Sequence, residues 1–494
     1  MGIIQQQTVK GSVYSYLGVF IGFFTTFLIM PHVLTPEQVG LTGILSSFSI
    51  MTAQFSILGF NATARIFPFF RNEKENHNGY LFLACAVAFV GFILFCIVAF
   101  LIKDQVVSQK GSENELFKDY YWCLIPLTFF TLFFNVFDLY ARMLYDTTTG
   151  RVLNEFTKRI FILVTLLVAS FKLLDFNQFM WIWLIANIIP TTIIAYRLYS
   201  RKQLVIRPNF HFLKRPIKSQ LVHLCVFGIL TGSAPYIIQN VDKFMVTESH
   251  GLNSTGVYQI AFNFAIIITL PARSLYSIAY TVISEAWKDN NLDSILSIYK
   301  KSCINQIISS LFLFMLIWIN IDNIYKVLPP EYAEGRYVIF FIGLGNLIDS
   351  ATGVNGVILS TSRYYKLDSF FYLVLAGVTI GANMIFIPIF GITGAAIASA
   401  LTYAIFNLSR YLFILFVFKL QPFTVKTPVA ILIGIASYYV VNFIPVMPNF
   451  IVDGFTRSIL ITILFGGAVY YLRLSEDINA LIKEALSRFK SNRQ

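Results

Sequence analysis

The sequence predicts an all-α polytopic membrane protein with about fourteen transmembrane helices, and three observations predict it. The first is composition. Of 494 residues, 56% are hydrophobic and 13% charged, with a mean hydropathy of +0.69, whereas soluble domains carry about 25% charged residues. The second is a series of apolar stretches of about 20 residues, each able to cross a hydrocarbon core of roughly 30 Å as a helix. The third is a parallel internal repeat. Gly18 and Gly22 in the first stretch are echoed by Gly228 and Gly232. Val39-Gly40-Leu41, opening the second stretch, is echoed by Thr255-Gly256-Val257. The two halves start near Gly11 and Gln220. Like-oriented halves in a membrane predict transport from a central cavity between them.

The expected spans are 11–31, 39–60, 80–102, 120–141, 156–174, 177–198, 219–241, 256–276, 303–328, 336–358, 368–389, 391–418, 428–446 and 455–473. The link 32–38 carries Pro36, which stops one helix and opens the next, with Gly40 just beyond. Asn61, Arg65 and Arg71 bring polar groups to where the second span leaves the membrane. Pro126, Pro190, Pro235, Pro271 and Pro388 fall within or at the edges of spans and predict bends. Segment 474–494 places Ile478, Leu481, Ile482, Ala485, Leu486 and Phe489 at helical spacing among Lys483, Arg488, Lys490 and Arg493. That pattern predicts an amphipathic helix lying on the membrane surface.

The net charge of +12 is distributed unevenly. With the N-terminus inside, 29 of the 37 Lys and Arg lie on the inner side, seven of them in 197–218. The positive-inside rule then puts both termini in the cytoplasm. Such basic loops meet anionic headgroups, so the partners expected are membrane lipids and not nucleic acid. The five cysteines, Cys85, Cys96, Cys123, Cys225 and Cys303, have neither metal-like nor disulfide-framework spacing. No Walker A loop, G-x-S-x-G or H-E-x-x-H is present, and no histidine lies deep in a span. The expectation is a non-enzyme without cofactor or bound metal, driven by Na⁺ or H⁺ coupling or by removal of product.

Ionisable groups inside spans are costly, and each is a candidate site residue. Asp349 lies about 13 residues into the tenth span, near the midplane at 1.5 Å per residue, with Asn346, Ser350 and Asn355 nearby. It is a candidate for ion coupling. Asp138 and Arg142, four residues apart, are placed to pair on one helix face. Asp242 and Lys243 fall at the outer end of the seventh span, as a gate or a helix end. Arg65 and Arg273 lie near the inner ends of repeat-related second helices. Two arginines facing a shared cavity suit a pyrophosphate, which guanidinium binds through parallel hydrogen bonds; snorkelling anchors are the alternative. Arg159, Arg363 and Arg410 are weaker cases of the same kind.

Several runs in order carry a family resemblance. They are Leu34-Thr-Pro-Glu-Gln-Val-Gly40 with Leu58-Gly-Phe-Asn-Ala-Thr-Ala-Arg65, and Asn240-Val-Asp242 with Gly256-Val-Tyr258. Further on come Ile283-Ser-Glu285-Ala-Trp287, Asn355-Gly-Val-Ile-Leu-Ser-Thr-Ser-Arg363 and Gly391-Ile-Thr-Gly-Ala-Ala-Ile-Ala-Ser399. Over nearly its whole length the chain resembles the polysaccharide-flippase branch of the multidrug/oligosaccharidyl-lipid/polysaccharide exporter superfamily. The resemblance implies two pseudo-symmetric six-helix lobes, 1–198 and 219–418, around a central cavity. A basic loop, 199–218, joins them, and 419–473 adds two helices before the tail. It implies flipping of undecaprenyl-pyrophosphate-linked O-antigen, capsule or other polysaccharide repeat units across a bacterial inner membrane. Glycan polymerase or assembly proteins are the implied partners. On this reading Arg65, Arg273, Asn355, Arg363, Asp138 and Arg142 bind substrate, and Asp349, Asp242 and Lys243 serve coupling or gating. The rival expectations are a cation-coupled multidrug exporter, which has twelve spans, and a membrane glycosyltransferase or polymerase, which needs a larger outer loop than 103–119.

Overall fold

A computed structural model describes residues 14, 17–107, 115–209 and 211–491. The start of the first span, the middle of the outer loop, and the side chains of Ala485, Leu486, Arg488, Phe489 and Lys490 lie outside the described residues. Among the described residues the chain is helical and has no strand. Among the described residues seven helices are long and apolar enough to cross a membrane, or up to nine if each of two bent pairs is one span. The expected first, fifth and thirteenth spans fall on shorter helices: Leu17–Val33, the run 149–170, and Lys426–Asn442.

Two of the seven, Pro216–Ala272 and Tyr365–Phe418, each contain two expected spans. The first reverses at Gly251 (φ +77°) and the second at Gly391 (φ +58°), left-handed conformations that glycine adopts without steric cost. On a continuous helix Asp242 and Tyr258 would stand about 24 Å apart. Instead Tyr258 Oη donates to Asp242 Oδ2 at 2.5 Å. The second span opens with a capping box, in which Thr35 Oγ1 accepts from Gln38 N and Gln38 Oε1 from Thr35 N. Pro36, in the first helical turn, needs no hydrogen-bond partner. The span then bends by 52° between Pro36–Ser56 and Phe60–Phe70.

The chain divides into two compact units, Met1–Gln259 and Ile260–Gln494. In the first, Tyr80 is fully buried among the rings of Phe60, Phe67 and Phe70, 5.0–5.3 Å away. Its hydroxyl is satisfied by Thr63 at 2.7 Å, as a buried phenol requires. Gly18 and Gly22 receive the fifth span, whose Arg159 Nη1 donates to Gly18 O at 2.6 Å. The echoed glycines Gly40 and Gly256 meet each other. A Cβ on Gly40 would lie 2.0 Å from Leu252 O, and one on Gly256 would lie 1.8 Å from Pro36 O. Small residues of this kind let helix backbones touch.

In the second unit, helix Leu292–Ile319 buries Ile307, Ile308, Leu311 and Met315 against Ala430 and Val441 of Lys426–Asn442. Ile461 and Phe465 of the last span complete this core. Two charges inside that last span, Asp453 and Arg457, pair at 2.7 Å. Asn323 Nδ2 also donates to Asp453 Oδ2 at 2.6 Å. The tail forms helix Glu476–Ser491, tied down by Asn305 Nδ2 donating to Asp477 Oδ2 at 2.7 Å. Its Ile478 packs on the same core, while Leu481 is exposed.

Candidate functional site

The tenth span is broken where its polar residues lie. Helix Arg336–Ala351 stops, and Asn355–Thr361 resumes at an angle of 54° to the preceding segment. Asp349, half-buried, lies in the last turn of the first segment, just before the break, and not in the middle of one continuous helix as its depth predicts. The break exposes polar backbone groups that hydrocarbon cannot satisfy, so protein partners must. Ser302 Oγ accepts from Val354 N at 3.3 Å, and Tyr276 Oη donates to Gly353 O at 3.3 Å. Asn407, from the second arm of Tyr365–Phe418, joins the side chains. Its Nδ2 donates to Asp349 Oδ1 at 2.8 Å. Its Oδ1 accepts from Thr352 Oγ1 at 2.8 Å and from Asn355 Nδ2 at 3.0 Å.

One turn beyond Asn407 stands Arg410, 5% exposed. Its Nε and Nη2 donate to Asp368 Oδ1 at 2.9 and 2.6 Å. The guanidinium also lies 3.9 Å from the Phe406 ring centre and 4.8 Å from that of Tyr372, which adds cation–π attraction. Gly356, in the resumed part of the tenth span, gives it room: a Cβ there would sit 2.9 Å from Arg410 Nη1. The second unit thus holds a polar chain running Asp349–Asn407–Asn355, with an ion pair beside it.

In the first unit Asp242 and Lys243 are buried at 1% and 7% exposure. They do not end a helix, which runs on to the reversal at Gly251. Asp242 Oδ1 accepts from Lys243 N at 2.8 Å, and its other oxygen holds Tyr258. Asp138 and Arg142 pair at 3.0 Å along one face, with Gly150 pressed against the carboxylate. Arg65 lies exposed in the 3-10 turn Phe60–Ile66, just past the bend of the second span. Arg273 lies on helix Leu270–Lys288, just past the 3-10 turn Ile267–Thr269. Both cations thus follow an interruption of their helix; the side chain of Arg273 lies outside the described residues. Arg363 is exposed and stacks on its neighbour Tyr364, 4.9 Å from the ring centre. Among the described residues no three His, Cys, Asp or Glu gather as a metal site.

No family model matches the sequence, and no curated protein matches it either. Solved structures do. A lipid II flippase, MurJ, in an inward closed conformation superposes with a TM-score of 0.73 at 15% identity, covering 94% of this chain and 99% of that one. An inward-facing multidrug resistance MATE family transporter of the MOP superfamily gives 0.62 at 14%, covering 81% and 93%. A MOP superfamily transporter from Pyrococcus furiosus gives 0.56 at 14%, covering 83% and 95%. The chain has the fold of these transporters. None of the three is described as an enzyme.

Within that fold, sequence reasoning found Asp349 and Asn355 but missed how they are held. Asn407 gave no signal beyond an amide in an apolar span. Asp368 fell on the expected first residue of the eleventh span, where a charge needs no partner. Arg410, a weaker case of the Arg65 and Arg273 kind by sequence, is paired by the structure with a carboxylate 42 positions away. A further acidic centre lies outside the spans. Asp146 accepts from Thr149 N and Oγ1 and pairs with Arg197 and Arg201 at 3.3 and 2.8 Å. Burial works against its charge, but the Thr149 hydrogen bonds and the two arginines outweigh it and hold the carboxyl below the ordinary range.

Proposed function

We propose that the chain is a flippase for a lipid-linked oligosaccharide, moving a polyprenyl-pyrophosphate-linked repeat unit from the cytoplasmic to the outer leaflet by alternating access. The observation that carries this reading is the docked C-terminal helix pair. Lys426–Asn442 and Phe450–Tyr471 extend the fold past the twelve spans expected of a drug exporter. In keeping with this, the lipid II flippase structure covers 94% of the chain, and the MATE and MOP transporter structures cover 81–84%. The headgroup would enter the cavity while the polyprenyl tail stays in lipid.

In this reading Arg65 and Arg273 hold the pyrophosphate, each placed just after a helix interruption. Backbone breaks at the membrane midplane are where transporters of this kind bind substrates and ions. The chain Asp349–Asn407–Asn355 then takes a sugar hydroxyl or the coupling Na⁺ or H⁺. Arg363, Asp138 and Arg142 contact substrate nearer the inner face, and Asp242 with Lys243 acts as a gate. The setting is a bacterial inner membrane with both termini cytoplasmic.

The test is purified protein in liposomes carrying a fluorescent polyprenyl-pyrophosphate oligosaccharide. Its accessibility to an external sugar-cleaving enzyme is followed with and without Na⁺ and proton gradients. Time-dependent exposure, lost in the Arg65→Ala/Arg273→Ala double variant, is the expected outcome. Full exposure by that variant would refute the pyrophosphate role. Movement of cationic dyes in place of the lipid-linked sugar would select the multidrug-exporter reading.

A further inference from the structure

Three loop ends on the expected inner face meet in the first unit: the stretch after the second span, the end of the fourth, and the stretch after the sixth. They enclose a cleft of about 310 Å³. Arg71, Arg201 and Lys202 line it, and Glu73 is the one carboxylate in its wall. Arg71 is held by neutral oxygens: Nη2 donates to Met143 O at 2.8 Å, and Nη1 donates to Tyr145 Oη. Its guanidinium also lies 4.6 Å from the Tyr145 ring centre. Among the described residues no carboxylate pairs with Arg71 or Lys202. Arg201 shares Asp146 with Arg197. Counting Arg71, Lys202, Arg197 and Arg201 against Glu73 and Asp146, the cleft and its support carry a surplus of two positive charges.

A second observation is independent of charge. His77 also lines the cleft, is 8% exposed, and its Nδ1 has no hydrogen-bond partner. The ring is fixed between Phe67 and Tyr140, 5.6 and 6.1 Å away. A buried polar atom without a partner is costly, and this one belongs to a ring in the wall of the cleft. The backbone is strained at the same place. Among the described residues, ten non-glycine residues have positive φ, and four of them, Asn76, His77, Tyr145 and Lys202, line this cleft. Strain of this kind persists where the surroundings over-determine it, and it clusters at ligand clamps.

We propose that this cleft binds a phosphate group at the inner membrane surface, separately from any transported substrate. A phosphate monoester carries about −1.5 to −2 charges and three acceptor oxygens. The surplus charge and the separate donors on Arg71 and Lys202 match that better than a carboxylate's single charge. The volume lies at the low end of ligand pockets, roughly 300–1,000 Å³. It admits a headgroup and leaves no room for an oligosaccharide. Basic pockets beside membrane helices on the cytoplasmic side take phospholipid headgroups, and free phosphate presents the same chemistry.

The experiment uses the full chain purified in neutral detergent. Dioctanoyl phosphatidate, dioctanoylglycerol, inorganic phosphate and pyrophosphate are titrated, and binding is read by native mass spectrometry and by thermal melting. Phosphatidate is expected to bind and raise the melting temperature, while dioctanoylglycerol, with the same tails and no phosphate, does neither. Affinity should fall about tenfold for each cation removed in K202Q and in R71Q/K202Q, and it should weaken with salt. Lys202 is exposed and outside every ion pair among the described residues, so K202Q tests the cleft even if R71Q disturbs the fold. Binding of phosphatidate alone assigns a lipid headgroup. Equal binding of inorganic phosphate or pyrophosphate assigns a free anion. Equal binding of dioctanoylglycerol, undiminished binding in K202Q, or no binding of any phosphate probe overturns the proposal. Binding at Arg65 and Arg273, where the proposed function puts pyrophosphate, is untouched by K202Q, so the difference between parent and K202Q reports the cleft and not what the chain transports.

Discussion

At the scale of residues, Arg410 decides how the second unit is to be understood. It has one carboxylate, two rings and a glycine around it. Removing one partner of such a pair leaves a buried charge uncompensated, at a cost of about 3–5 kcal/mol. Asp368→Ala is therefore expected to lower the thermal melting point in detergent sharply. Asp368→Leu combined with Arg410→Met should recover most of the loss, since a packed apolar pair needs no compensation. A D368A variant that melts like the parent would mean the pair is not structural and that Arg410 is available to a ligand. The sequence could not reveal this. The two residues lie in different spans, and counting depth from the expected span ends put Asp368 at the surface. Asp138 and Arg142 were legible because four residues on one helix fix their distance without knowledge of the fold.

At the scale of elements, the hydrophobic runs predict an all-helical chain, which the structure has, and breaks within its helices are harder to foresee. Pro36 announced the start of the second span. No proline marks 352–354, where the tenth span breaks; Gly353 at φ +60° is the sole local cue, and many glycines in apolar helices remain helical. Gly251 falls in an expected link between spans and Gly391 at the expected start of one, and both reversals are single-glycine kinks. The Gly40–Gly256 contact is the element-level feature most open to test. A Cβ 1.8 Å from Pro36 O falls far inside the roughly 3.5–4.0 Å of ordinary carbon contact. Gly256→Leu should therefore separate the two helix ends by about 2 Å or more. Spin labels on Glu37 and Asn253 would report the change, and an unaltered distance distribution would show that the helices are not held by this contact.

At the scale of the whole molecule, composition and charge placement predict a sidedness that the helices alone do not contain. If 29 of 37 cations face the cytoplasm, a C-terminal alkaline phosphatase fusion should be inactive and a fluorescent protein fusion at the same site bright. An active phosphatase would invert the topology, and the phosphate cleft would then open to the outer face. Residues that meet across a helix contact ordinarily drift together, a change in one being tolerated by a matching change in the other. Gly40 and Gly256 allow no such exchange. Each is already the smallest residue there is, and each lies against backbone, which no substitution can shrink. The pair is a fixed point of the first unit, where neither partner can change to accommodate the other.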